Sequence, residues 1–369
     1  MKSARIMRGM TLLEMLVAMA IFGVVMLTIG HAISMMQNTW TKVRGKADGF
    51  RNTRLALDLV AGRIGQATLN QRWKFDDSGT SPQYVTDSDL HFVSGPARVL
   101  LSDMQNAVGH AVFFQAPFGE SDPARDSKDM RRLNSTLNAW GYFVEYGPDK
   151  DEKPAFMNDN PDRFPPRNRF RLLEFRQPAS ELTLFDMDDS IPPMLKINKA
   201  TSWTQLFSWF HDPIKRGATH QSRHLTVVAE NILAFIVTPL DPRKRDANSD
   251  LSTPAPYQVA PNSMWNSRGF QIGETAASGQ LSQRHHLPPA VQLTAIAISE
   301  DAWLTYSDGP EDQARLGAVC GELMLEVNRR FVQGDLLAQD IANIGDKLDS
   351  MRPRIPYRII TLLVPLAKQ

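Results

Sequence analysis

From Met15 to Thr41 the chain has no Asp, Glu, Lys or Arg, and His31 is the only titratable side chain there. The most apolar part, Met15 to Ile33, would rise about 28 Å as a helix at about 1.5 Å per residue. That is close to the hydrocarbon thickness of a bilayer, about 30 Å. Further on, Phe50, Thr53, Leu57, Val60, Ile64 and Ala67 recur three and four apart, which makes one helical face. Arg51, Arg54, Asp58 and Arg63 fall mostly elsewhere. The pattern predicts a single helix from about Met10 to Leu69, apolar in its first half and amphipathic in its second. Gly45, Gly49, Gly62 and Gly65 each weaken a helix by about 1 kcal/mol relative to Ala, so bends are expected there.

The remainder reads as strands separated by turn-rich stretches. The expected strands are Leu90 to Val93, Ala111 to Gln115, Trp140 to Tyr146, Phe170 to Phe175, Leu225 to Val237, Val291 to Ser299 and Tyr357 to Val364. Val291 to Ile296 alternates as a half-buried strand should, and Pro288-Pro289 sets its entry. Stretches near 118–138, 148–168 and 241–286 are rich in Pro, Asp, Arg, Ser and Asn and read as loops. Residues 305–353 differ. Leu316, Cys320, Leu323, Val327 and Phe331 form one helical stripe, and Leu337, Ile341, Ile344 and Leu348 another, so two amphipathic helices are expected.

With 369 residues the chain can bury one large core or two modest ones. The net charge of +1 argues against a broad electrostatic grip on nucleic acid. The single cysteine, Cys320, excludes an intramolecular disulfide and a four-cysteine zinc site. The prolines all fall after the first seventy or so residues, which favours a body of strand and loop over a helical bundle.

The N-terminus admits three readings. Lys2, Arg5 and Arg8 precede the apolar run with no acidic residue among them, and Ala32-Ile33-Ser34 would pass as a secretory cleavage site. A plain signal anchor is the second reading. Neither explains Glu14, a carboxylate at the front of the apolar core. The third reading does. Residues 8–23, RGMTLLEMLVAMAIFG, resemble the class III signal of type IV prepilins and type II secretion pseudopilins. That resemblance implies cutting after Gly9 by a prepilin peptidase, N-methylation of Met10, and a role for Glu14 in assembly. The family most often has Phe at the first mature position. Met10 is apolar and similar in length, so processing is expected to survive.

An unpaired carboxylate in hydrocarbon costs on the order of 3 kcal/mol or more. The resemblance supplies a partner for Glu14, the N-terminal amine of a neighbouring subunit. The helix dipole also favours a negative charge in the first turn. Leu287 to Thr294, together with Ala139 to Tyr146 and Arg171 to Phe175 in the same order, resembles the J-type minor pseudopilins. The C-terminal end is similar to the Verru_Chthon cassette protein C family. The resemblance implies an α+β fold: a pilin-type helix, transmembrane then amphipathic, laid on an antiparallel sheet body with loop and helical insertions. The expected organisation is a leader over 1–9, a transmembrane half over 10–36, an amphipathic half over 37–70 and a periplasmic domain over 71–369.

Candidate chemistry is thin. His220 and His224 are four apart, but the HExxH form is absent and Leu225 onward reads as strand, so solvated loop histidines are expected. His285-His286 precede a Pro-Pro turn and read as loop. Asp186, Asp188 and Asp189 could supply oxygens to Ca²⁺, but without an EF-hand pattern. No phosphate-binding glycine loop or nucleophile elbow occurs. Trp203, Phe207, Trp209 and Phe210 read either as a short helix capping the sheet or as a docking surface. Cys320 is expected to be buried and inert.

The expectation is a non-enzymatic minor pseudopilin-like subunit with no cofactor and no metal. Its partners would be a prepilin peptidase, other pilin-like subunits and the inner membrane, with the N-terminus cytoplasmic. Its assembly would support protein secretion, with the large body at a filament tip. The alternatives are a membrane-anchored periplasmic enzyme or binding protein, and a DNA-uptake pilin. Arg163, Arg167, Arg169 and Arg171 form the local basic run that supports the DNA reading.

Overall fold

The computed structural model describes residues 12–76, 82–119, 135–151, 153–164, 166–185, 203–215, 224–241, 258–259, 263–268, 285–299, 310–333, 336–352 and 354–366. Two compact units are formed, Met1–Gly49 and Phe50–Gln369.

Helix α1 spans Leu12–Ile64. It stays helical through Gly45, Gly49 and Gly62 and ends where the Gly65 amide donates to the Ala61 carbonyl at 2.9 Å, about a turn before the expected end. Within the body, the predicted face is the buried one: Thr53, Leu57, Val60, Ile64 and, past the helix end, Ala67. Arg54 and Asp58 stay outside as an exposed pair at 3.4 Å.

Next in the chain come β1 (Arg72–Asp76), β2 (Gln83–Asp87), β3 (Val93–Pro96), a one-turn α2 (Ala97–Leu100), β4 (Ala107–Ala116), β5 (Asn138–Pro148), a one-turn α3 (Ala155–Asn158) and β6 (Asn168–Gln177). They are followed by α4 (Trp203–Lys215), β7 (Leu225–Glu230), β8 (Ile232–Asp241), β9 (Gln258–Val259), β10 (Trp265–Asn266), β11 (Ala290–Ile298), α5 (Pro310–Arg329), α6 (Leu337–Ser350) and β12 (Tyr357–Pro365). The strands make a β1-β2 ribbon, a six-stranded sheet in the order β10-β3-β4-β5-β6-β7 and a four-stranded sheet in the order β12-β11-β8-β9. Every pairing among the described strands is antiparallel. The body is thus an α+β unit, with the end of the long helix packed on antiparallel sheet.

Three expectations need correction. The segment read as one strand, Leu225 to Val237, is two strands in different sheets. Asn231 separates them with φ +60°, a left-handed conformation that Asn tolerates better than most residues. This corner hands the chain from one sheet to the other. The strand expected at Leu90 to Val93 begins instead at Val93. The amides of His91 and Phe92 donate to side chains, Gln115 Oε1 at 2.8 Å and Ser267 Oγ at 2.9 Å, rather than to a ladder. And β11 is not half-buried: every residue but Gln292 is buried, because both faces of that sheet are covered there.

The stretch 241–286 is also not all loop. Its described part supplies β9 and β10, and the Trp265 ring of β10 is fully buried. The two C-terminal helices form as predicted, with Cys320, Leu323, Val327, Ile344 and Leu348 buried. The closing strand β12 pairs with β11 over nine consecutive positions.

Side chains alternate across the six-stranded sheet. One face carries Trp140, Tyr142, Tyr146 and Glu174 and receives α1 and α5. Arg63 of α1 lies 4.2 Å over the Trp140 ring and pairs with Glu174, which also accepts from the Tyr142 hydroxyl at 2.8 Å. Burial first, then the Glu174 charge, pushes the Tyr142 phenol upward. Arg63→Met would leave Glu174 buried beside only a phenol. We expect a loss of about 2 kcal/mol, below the roughly 3–5 kcal/mol of a fully buried pair because Arg63 is part-exposed. Adding Glu174→Leu should recover most of it. A double variant less stable than the single one in urea unfolding would refute that account.

The opposite face carries Phe113, Phe143 and Phe175 and receives α4, whose Phe210 stacks on Phe113 at 3.9 Å between ring centroids.

Candidate processing and assembly segment

The proposed cut site, Gly9 and Met10, lies outside the described residues. Glu14 lies inside them, in the first turn of α1, and is solvent-exposed. The macrodipole of a helix favours a negative charge in its first turn.

The residues after it follow from composition. Leu12–Gln37 is helical, apolar and wholly exposed; among the described residues it is the one helix long and apolar enough to cross a membrane. At about 1.5 Å per residue it rises about 39 Å, enough for a bilayer core of about 30 Å. In hydrocarbon a polar side chain must find its partner within the segment. The Thr28 hydroxyl donates to the Val25 carbonyl at 2.8 Å. Just past the span, Thr39 does the same to Met35 at 2.8 Å. Trp40 is exposed just beyond, where an amphipathic ring suits a membrane–water boundary.

The body's candidates resolve differently. Phe207, Trp209 and Phe210 are buried, so for these three the capping-helix reading holds and the docking reading falls. The side chain of Trp203 lies outside the described residues. So do His220 and the acidic run Asp186 to Ser190. His224 lies in the turn just before β7 and sits 3.1 Å from Glu181. His285 is in a loop, as expected, but buried, with its Nε2 3.7 Å from Asp87. Among the described residues no three His, Cys, Asp or Glu side chains gather as a metal site. Cys320 is buried, and burial pushes its thiol up to about 12, which leaves no reactive thiolate at neutral pH.

The arginine run does not form a surface patch. Arg163 and Arg167 are exposed, but Arg169 and Arg171 are buried on β6. Arg169 meets Glu230 at 3.0 Å and Arg171 meets Glu145 at 3.7 Å. The two buried arginines serve inter-strand pairing and are not available to phosphate.

The sequence reading missed three internal histidines. His91 accepts from the Trp209 indole at 3.0 Å and lies 2.9 Å from Asn266 Oδ1. Burial first, then the Arg268 charge, lowers it to about 3. His110 bridges β4 to Val237 and Phe331, and His211 reaches the Leu100 carbonyl. Burial lowers both. His91 folds neutral but takes up a proton near pH 6.5 once unfolded, and burial shifts His110 and His211 in the same direction. The unfolded state therefore binds more protons below that pH. The stabilisation is complete above about 6.5 and drains away as pH falls towards the folded values. Between pH 7.5 and 5.5 the loss should be about 1.4 kcal/mol from His91, and His110 and His211 add to it in the same direction. Urea unfolding at those two pH values checks this; equal or greater stability at pH 5.5 would refute it.

Residues 5–30 match the family model described as the prokaryotic N-terminal methylation motif. No curated protein and no solved structure matches the chain. The chain carries a prepilin- or pseudopilin-type N-terminal signal on a helix long and apolar enough to cross a membrane. The motif implies processing by a prepilin peptidase. The match ends at residue 30, so the J-type and C-terminal resemblances rest on the sequence reading.

Proposed function

We propose that this protein is a non-enzymatic minor pseudopilin-like subunit. It is cut between Gly9 and Met10, methylated at Met10, and drawn into a periplasmic filament through α1 with the Glu14 carboxylate against a neighbour's N-terminal amine. The observation that carries this reading is a coincidence: the methylation motif over 5–30 falls on an exposed apolar helix with Glu14 in its first turn. A mere anchor has no use for that carboxylate. The basic leader stays cytoplasmic and the body is periplasmic.

A body running from Phe50 to Gln369 is bulky to repeat along a packed fibre, which favours a tip position in a protein-secreting assembly. The J-type resemblance supports the same role.

The test is the intact mass and N-terminal residue of chain recovered from membranes, with and without a co-expressed prepilin peptidase. A chain starting at N-methylated Met10 only when the peptidase is present is the expected result. A chain starting at Met1 in both, or cut near Ser34, would overturn it and bring forward the anchored binding protein or enzyme.

A further inference from the structure

Strand β12 is the outer strand of its sheet: β11 lies on one side, and among the described residues no strand lies on the other. Its even-numbered residues from Ile360 to Val364 turn inward, while Ile359, Thr361 and Leu363 turn outward. Leu363 is 61% exposed and Ile359 38%. Natural edge strands are usually blunted by lysines, prolines, bulges or inward charges. From Ile359 to Val364 this one has none of these, and its register with β11 is unbroken. It is a long, regular, apolar template for another strand.

The strand's own sequence says which one. We propose that β12 pairs antiparallel with β12 of a second copy of this chain, about a two-fold axis at Thr361. In that register Ile359 faces Leu363 of the second copy, and the two-fold repeats the contact on the other side. Thr361 faces Thr361, and Tyr357 faces Pro365. The outward apolar residues thus meet one another, as an isologous interface requires. The single charge of the strand, Arg358, falls opposite Val364. The two copies of Arg358 are six positions apart, about 20 Å at about 3.4 Å per residue, so like charges never meet. Two four-stranded sheets become one continuous sheet. The pairing makes no use of Glu14.

The test uses full-length chain in native membranes, where all copies share one orientation. On mild oxidation Thr361→Cys should give a disulfide-linked dimer, because directly opposed residues lie about 4.5–5.5 Å apart at Cα, within disulfide reach. Ile359→Cys alone should give about tenfold less, since its own mate is roughly 14 Å away. Co-expressing Ile359→Cys with Leu363→Cys should restore the dimer. Wild-type chain, whose Cys320 is buried, should give none. Leu363→Lys alters a side chain that is exposed in the single chain. It should leave the fold intact and reduce Thr361→Cys cross-linking about tenfold. No dimer from Thr361→Cys, or as much from Ile359→Cys alone, would overturn the proposal. Glu14→Leu should leave the cross-link unchanged, which separates this pairing from filament entry.

Discussion

Phe113→Ala should destabilise the body by about 3–5 kcal/mol, against a total of roughly 5–15 kcal/mol for a folded domain. Phe113 is fully buried at the centre of β4. Its ring lies nearly parallel to Phe210, 9° between planes, and meets Phe175 and Trp209 edge-on at 6.1 and 6.3 Å. Opposite it on β5 is Gly141. A Cβ built on Gly141 would fall 2.1 Å from Phe113 Cδ1, so the ring occupies the volume a side chain there would need. Two consequences follow. Removing the ring opens a cavity that rigid strands cannot close, which adds a cavity cost to the lost burial. Gly141→Ala alone should also destabilise, by about 1–3 kcal/mol through overpacking. In a Phe113→Ala background it should cost much less, because the added methyl then enters the vacated space. Urea unfolding of the four chains measures this coupling. Additive losses would mean that ring and glycine do not share that volume.

Glu14→Leu should give a chain that inserts, is processed and folds its body normally, yet fails to join other pilin-like subunits. Removing a carboxylate from the apolar segment makes insertion easier, by on the order of 3 kcal/mol if the group would otherwise enter hydrocarbon. A pairing contribution of similar size corresponds to about a hundredfold weaker association. Glu14→Asp keeps the charge but shortens its reach, and should fall between. The readouts are membrane fraction, N-terminal mass and co-purification with partner subunits. Undiminished co-purification of the Glu14→Leu chain would remove the assembly role. Loss of insertion would show instead that the residue acts earlier.

Both predictions concern features of different legibility. The membrane segment is a one-dimensional property. A run of uncharged residues crosses hydrocarbon as a helix whatever the rest of the chain does, and Glu14 shows against it because nothing else there is acidic. The amphipathic end of α1, the stripes of α5 and α6, and the closing strand were legible for a related reason. Each buries one periodic face, and the period survives in the sequence.

Tertiary structure decided the rest. Whether Leu225 to Val237 is one strand or two depended on a left-handed Asn231, an exception that carries no periodic mark. Trp209 and Phe210 could cap a sheet or greet a partner until Phe113 was found beneath them. Arg169 and Arg171 read as a basic run until Glu230 and Glu145, distant in sequence, were found against them. His91, His110 and His211 hold protons less readily than free imidazoles chiefly because burial denies them water. These outcomes depend on which surfaces meet across the chain, and that is set by long-range packing. The sequence by itself determined a prepilin-type signal on a helix long and apolar enough to cross a membrane, followed by an α+β body. Only the folded body determined which charged and aromatic side chains face solvent and which are spent on holding it together.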